Sequence, residues 1–505
     1  MSDPILTENK NPFATEDGAC CRPTGTRVRT PPTVGTRPQP HSETDYEVVP
    51  APKDLRSLHF IGIGGAGMSG IALVLHNRGY KVTGSDLKPS RYVTLLENAG
   101  LPVAIGHRAA NIDHPDVVVI SSAIPPHNVE LQEARRRGIP VVKRAQALAW
   151  TMESGRGIAV CGTHGKTTTT SMITRVLVDG GYDPTFLVGG ELNDLGSNAR
   201  QGEGDFVVCE ADESDGSLLL LRPEVAILTN LELDHHSHYL HVEDIERVFE
   251  QFLGRLPTHG LFVYCAEDPR VSALAGRVGC RVCSYGFDPG ADYQAREVVA
   301  GHPGASFEVW SGESRLVSMS LEVPGRHNVL NALACFATLA ELGVPVEDIV
   351  PALRTFGGAV RRFQRKGQRD GITVVDDYAH HPTELKATLR AARDGAWDRV
   401  IAVFQPHLYS RTEFLHAEFA EALLEADIAV VTDVYGARED PRPGVSGKLI
   451  VDSILKIDRR KPVVYLPRLG AVVDYLNRSA EEGDLVLTLG AGDVHRVGER
   501  FLSAD

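Results

Sequence analysis

The sequence predicts an α/β protein of three consecutive domains following a disordered tail, on three observations. Its 505 residues suit about three domains of ordinary size with full cores. From Leu58 onward, short apolar runs alternate with helical stretches, the pattern of parallel sheets with right-handed crossovers. Two glycine-rich turns, at Gly62 and Gly162, each follow an apolar run and open a helix.

Residues 1–55 carry nine of the thirty prolines and few large apolar side chains, so they are expected to be a disordered tail. The first domain, 56–153, opens on the apolar run Leu58–Ile63 and continues with strands at Lys81–Ser85, Val117–Ser121 and Val141–Val142. The second, 154–350, begins at the strand Gly157–Cys161, with a helix running on to Asp179. Strands at Phe206–Glu210, Val225–Asn230 and Leu261–Cys265 follow, and a helix near Asn328 closes it. The third, 351–505, has strands at Ile372–Val375, Arg399–Phe404, Ile428–Thr432, Val463–Leu466 and Leu485–Leu489. There is no internal repeat.

Composition narrows the function. Hydrophobic content of 42% with 23% charged residues is that of a soluble globular chain. A net charge of 52 − 66 = −14 without a long basic run argues against nucleic acid as a partner. No apolar stretch approaches the roughly 18 residues that span a bilayer, so no membrane is expected. The polar N-terminus lacks a signal core, which makes the cytoplasm the expected location. Eight cysteines in a chain of this length are thiols rather than a disulfide framework, and Cys280-x-x-Cys283 lacks a second ligand pair for zinc.

The chemistry is concentrated in Gly162-Thr163-His164-Gly165-Lys166-Thr167-Thr168. A strand ending in a glycine turn, with Lys-Thr opening a helix, surrounds one anionic group with backbone N–H groups and a helix N-terminus. The lysine bridges phosphate oxygens and Thr167 is free to hold a metal ion. Val160 stands where the general phosphate-loop pattern has a further glycine, so the match is mechanical rather than literal. A solvated lysine on a glycine turn is the plainer alternative. In the first domain, Gly62-x-Gly64-x-x-Gly67 follows a strand, with Asp86 nineteen residues beyond Gly67. This fits a diphosphate on a tight turn with an acidic partner for a ribose. A dinucleotide such as NAD and a UDP-type diphosphate both satisfy it. The triphosphate site some ninety residues later favours the UDP type.

Downstream groups complete the pattern. Glu210-Ala211-Asp212-Glu213-Ser214-Asp215 sits just past a buried strand, where Mg²⁺ is held beside a phosphate loop, although an acidic run is ordinarily a solvated loop. A second strand end runs into Asp234-His235-His236, of which one histidine is expected at a Mg²⁺ or substrate site. Asn328 and Asn331 share one face of a helix start and suit the edge of adenine, although asparagine there is also an ordinary cap. Asp376-Asp377-Tyr378 and His407-Leu408-Tyr409-Ser410-Arg411 end neighbouring third-domain strands, the usual ligand crevice, and Arg411 suits a carboxylate.

Taken in order, these blocks resemble the Mur ligase family of peptidoglycan-precursor enzymes from Leu58 onward. The resemblance implies a Rossmann-like N-terminal domain that binds a UDP-substrate, a P-loop ATPase central domain, and a Rossmann-like C-terminal domain that binds the amino acid. It implies ATP-dependent joining of L-alanine to UDP-N-acetylmuramate through an acyl phosphate, by a monomer or homodimer. Under it Lys166, Glu210 and His235 are catalytic, Thr167 and Glu210 hold one Mg²⁺, and His235 with Glu210 holds a second. ATP contacts are expected from Gly162 to Thr168 and from Asn328, Asn331, Arg362 and Asp377. The UDP-substrate is expected on Gly64, Gly65, Ala66, Gly67, Met68, Ser69, Asp86 and Asn198, and alanine on Tyr378, His407 and Arg411. The family pattern has arginine where Leu408 stands, and Glu250 replaces the carbamylated lysine of sister ligases. A ligase that reattaches a recycled murein peptide shares most of these motifs. An NAD-dependent oxidoreductase would use only the Gly62 loop, and a non-catalytic nucleotide-binding regulator would not need Lys166, Glu210 and His235 intact.

Overall fold

Five parallel strands form the first sheet, in the order Val103–Ile105, Lys81–Asp86, Ser57–Ile61, Val117–Ile120, Val141–Lys143. The structure is a computed structural model that describes residues 49–503 apart from 122, 190–196, 215, 235–237, 302 and 438. Asp215, His235, His236 and most of the expected tail therefore lie outside the described residues. The tail expectation ran to residue 55, but the chain is already docked at Val49. Its carbonyl accepts from Gln146 Nε2 and Trp150 Nε1, both at 2.7 Å, and Ala51 and Leu55 pack on the core. Two short apolar contacts in a proline-rich stretch were too sparse to register as a pattern.

The second sheet is built around the phosphate loop. Its parallel part runs Arg281–Gly286, Leu261–Cys265, Val225–Leu228, Arg156–Cys161, Phe206–Glu210, Thr185–Leu187. An antiparallel strand, Ala199–Arg200, closes one edge, and Tyr293–Gly301, Gly304–Ser311 and Ser314–Leu321 extend the other. That three-strand extension went unread because each strand is half-exposed and carries charges between its buried residues. The helices Lys166–Asp179 and Arg326–Glu341 pack together on the same face.

The third sheet has the order Gln364–Arg369, Ile372–Asp377, Leu485–Leu489, Val400–Phe404, Ile428–Val431, Val463–Tyr465. Only Gln364–Arg369 is antiparallel. Its sequence, Gln-Arg-Lys-Gly-Gln-Arg, looks like loop because an edge strand is protected by charge rather than by burial. One apolar core runs from Leu58, Phe60 and Leu75 of the first domain to Cys161, Phe249 and Phe262 of the second. The third domain has separate cores on its sheet's two faces. In all three sheets, residues at the carboxyl ends of parallel strands line one cleft, among them Asp86, Glu210 and Tyr378.

Candidate active site

The phosphate loop takes its shape from two glycines in the left-handed region. A Cβ on Gly162 (φ 120°) would lie 2.3 Å from Thr229 Oγ1, and one on Gly165 (φ 84°) 2.6 Å from Asn331 Oδ1. The next strand end clamps the loop. Thr229 Oγ1 donates to the His164 carbonyl at 2.6 Å, and His164 N–H donates to Asn230 Oδ1 at 2.8 Å. Lys166 then opens the helix with its ammonium against both carboxylate oxygens of Glu213, at 2.9 and 3.0 Å. Burial works against its charge, but Glu213 and Asp212 outweigh it and hold Lys166 above its ordinary value.

Beside it, burial raises the Glu210 carboxyl above its ordinary value, against hydrogen bonds from the Gly189 amide (2.7 Å) and the Thr167 hydroxyl. A carboxylate and a hydroxyl oxygen facing one cleft suit a hard divalent cation. Asn328 and Asn331 lie behind Gly165, both 7% exposed. Asn331 Nδ2 donates to Asn328 Oδ1 at 3.3 Å, and Asn328 Nδ2 to the Pro324 carbonyl at 2.7 Å. The pair is thus braced at the loop's back.

A cleft of ≈ 1130 Å³ gathers the rest. From the first domain it is lined by Gly65, Ala66, Gly67, Met68 and Asp86, and from the second by Thr163, Gly165, Lys166, Thr167 and Glu210. Arg362 and Tyr378 line it from the third. Asp86 also accepts the Gly64 N–H at 2.9 Å, shaping the glycine turn it faces. Ser69 and Asn198 do not line the cleft. Ser69 Oγ donates to the Ala66 carbonyl at 3.0 Å. The buried Asn198 amide donates to the same carbonyl at 2.9 Å, bolting the first-domain turn to the second domain.

Arg362 is presented by a strained segment. Its neighbours Arg361 and Phe363 have φ of 61° and 46°, held there by other parts of the third domain. Arg361 bonds Asp376 at 2.8 Å, and Asp377 accepts the Phe363 and Ala379 N–H groups, each at 2.7 Å. Asp377 is 5% exposed, and burial pushes its carboxyl up to about 6 despite Arg362. Asp377 therefore positions the Arg362 segment from behind. The Arg362 guanidinium lies 5.3 Å from the Tyr378 ring centre and 3.5 Å from Glu384.

The expected alanine pocket divides. Tyr378 lines the cleft, as does His380, which follows it in the same strand-end run and was given no role of its own. Burial lowers the His380 ring to about 3, leaving it neutral. His407 and Arg411 are not among the described residues lining the cleft. Arg411 is 2% exposed and binds Asp234 through Nε (3.1 Å) and Nη2 (2.8 and 2.9 Å), while its Nη1 meets His407. Its donors serve a buried bridge between the second and third domains. Leu408, at φ 71°, caps the helix that carries it.

Other lining residues also went unread: His107, His127, Arg144 and Glu384. Arg144 begins a helix directly after the strand Val141–Lys143, so its position at a strand's carboxyl end was the available signal. Glu384 lies one turn into a helix, where it reads as an ordinary first-turn acid.

Comparison with known proteins agrees with this architecture. Residues 57–156 match the Mur ligase family catalytic domain, 160–339 the Mur ligase middle domain, and 361–492 the Mur ligase glutamate ligase domain. Over 448 residues the chain is 52% identical to the UDP-N-acetylmuramate–L-alanine ligase of Rubrobacter xylanophilus, covering 88% of this chain and 99% of that protein. The crystal structure of the UDP-N-acetylmuramate–alanine ligase MurC from Thermotoga maritima superposes with a TM-score of 0.75 at 32% identity. It covers 88% of this chain and 98% of that one. A murein peptide ligase from Psychrobacter arcticus superposes at 0.65 and 26% identity, covering 88% and 98%.

Proposed function

The chain belongs to the Mur ligase family, and from that premise we propose that it joins L-alanine to UDP-N-acetylmuramate with ATP, in peptidoglycan-precursor synthesis in the cytoplasm. One observation carries the reading: a single cleft is bordered by the Gly62–Met68 loop, the phosphate loop, and Arg362 with Tyr378. No helix among the described residues is long and apolar enough to cross a membrane, and all three substrates are water-soluble.

A free carboxylate is a poor electrophile, so ATP must first activate it. The muramoyl carboxylate oxygen attacks the γ-phosphorus, the bond to the bridging oxygen breaks, and ADP leaves. The free amine of alanine then attacks the acyl carbon through a tetrahedral intermediate, inorganic phosphate departs with the bonding pair, and the amine's proton passes to that phosphate or to solvent. Lys166 neutralises β/γ-phosphate oxygens, exchanging its contact with Glu213 for them, and Arg362 meets the transferring group from the third domain. Thr167 and Glu210 offer the oxygen donors that fit Mg²⁺, which would supply further positive charge to the phosphates when bound. His235, with Glu210, is proposed for a second Mg²⁺. Closure of the domains over the cleft would keep water from the acyl phosphate.

The test is direct. The protein is incubated with ATP, Mg²⁺ and UDP-N-acetylmuramate, with L-alanine, glycine, L-serine or a murein tripeptide added singly. Phosphate release and product mass are followed. Release with L-alanine that also requires the UDP-sugar is expected. Turnover confined to the tripeptide would replace this reading with peptide recycling, and phosphate release indifferent to the UDP-sugar would end it.

A further inference from the structure

Where the phosphate loop meets the third domain, His164, Glu232 and His381 offer one donor atom each, all within 4.8 Å of one another. Glu232 Oε2 lies 3.1 Å from His164 Nε2 and 3.5 Å from His381 Nδ1. Metal–ligand bonds of about 2.0–2.1 Å in a tetrahedral zinc site put neighbouring ligand atoms roughly 3.3 Å apart, a spacing these two distances bracket. The two imidazole rings are 4.8 Å apart and tilted by 39°.

The independent sign is His381. It is 6% exposed, and neither of its ring nitrogens has a hydrogen-bond partner among the described residues. A buried polar group left in that state is costly and calls for a partner. The surroundings supply the outer support that metal-binding histidines carry. His164 Nδ1 is 3.3 Å from the Glu384 carboxylate, which fixes the ring with Nε2 toward the cluster. The Thr383 hydroxyl donates to Glu232 Oε2 at 2.7 Å and orients that carboxylate.

We propose that His164, Glu232 and His381 form a transition-metal site, of the Zn²⁺ class, that fastens the phosphate loop to the third domain. Two imidazoles and one carboxylate select against Mg²⁺ and Ca²⁺, which take oxygen ligands. The site is separate from Thr167 and Glu210 and does not depend on the reaction proposed above. Binding replaces the proton on His164 Nε2, which passes to solvent. Because His381 belongs to the third domain and the other two ligands to the second, an occupied site opposes their separation.

The nucleotide-free, full-length protein, in excess Mg²⁺ to fill oxygen-donor sites, is titrated with Co²⁺ and then Zn²⁺. Visible absorption and calorimetry follow binding. One site with the absorption of four-coordinate cobalt is expected, displaced by Zn²⁺. His381→Ala and Glu232→Gln should each weaken it by roughly 100-fold, the upper end of what losing even an outer-shell partner costs. His381→Gln, which keeps most of the ring's bulk, provides a second variant if His381→Ala melts early. Absence of four-coordinate absorption, or equal affinity in the folded variants, would overturn the assignment.

Discussion

Two cations, both expected to meet substrate, have different structural lives. Lys166 rests between Glu213 and the carbonyls of its own loop, poised at the mouth of the cleft. Lys166→Ala should cut turnover roughly a thousandfold or more while leaving UDP-N-acetylmuramate binding intact, because a phosphate-clamping charge contributes several kcal/mol to the transition state. Steady-state kinetics with calorimetric UDP-sugar binding checks this, and loss of that binding in a folded variant would contradict it. Arg411 is instead sealed against Asp234, at 2% and 4% exposure. Arg411→Ala should therefore destabilise the protein by about 3–5 kcal/mol, since it leaves a buried carboxylate unpaired. Urea unfolding should show Arg411→Ala/Asp234→Ala recovering part of the loss. A variant of unchanged stability with a raised KM for alanine would make Arg411 a substrate arm after all.

At the scale of elements, the helix Val129–Arg136 shows how a polar cluster holds a sheet's loops together. Glu130, in its first turn, is fully buried. It accepts from Ser85 Oγ (2.5 Å) and the Arg108 N–H (3.0 Å), and contacts His59 Nε2 (3.4 Å) and Asn111. Burial alone would raise its carboxyl, but these donors hold it down at about 2. A depressed folded value stabilises the protein above the unfolded value near 4.5, and that contribution fades as pH falls from about 4.5 toward 2. At about 1.4 kcal/mol per unit, up to roughly 3 kcal/mol is at stake. Glu130→Gln should thus be much less stable than the parent at pH 7, with a gap that narrows below pH 4.5. Chemical denaturation midpoints across that range check it, and a gap independent of pH would show that the carboxylate's charge contributes nothing.

At the scale of the molecule, the cleft draws its lining from all three domains, and second–third contacts at His164–Glu384, Thr383–Glu232 and Arg411–Asp234 hold it together. A site assembled this way is complete only when the domains are together. ATP analogue and UDP-substrate together should compact the protein in small-angle scattering more than the amino acid does. Arg362→Ala should weaken that response without unfolding the third domain. An unchanged radius of gyration would mean a preformed site. The contribution of residues 49–55 is tested separately by comparing chains that begin at residue 49 and at residue 56. Loss of the Val49 hydrogen bonds and the Leu55 contact should cost about 1–3 kcal/mol. Equal melting curves would show that this segment adds nothing.

What was legible in the sequence was whatever is encoded locally. Strands such as Phe206–Glu210, Leu261–Cys265 and Leu485–Leu489 announce themselves because a buried parallel strand must be continuously apolar. The loops at Gly62 and Gly162 do so because glycine adopts such left-handed turns without strain. Those two facts were enough for the fold class and the phosphate loop, while the family needed the later blocks around Glu210, Asn328 and Asp377 as well. The half-exposed strands Tyr293–Gly301 and Gln364–Arg369 were not legible, since their partners rather than their compositions make them strands. Nor could the sequence separate His380, which lines the cleft, from His407 and Arg411 behind it, or show Asn198 turned onto the Ala66 carbonyl. Local sequence specifies which groups stand at a strand's end. Which of them face the cleft and which are spent on bridges between domains depends on side chains more than a hundred residues apart, as with Asp234 and Arg411, and so was decided only by the tertiary packing.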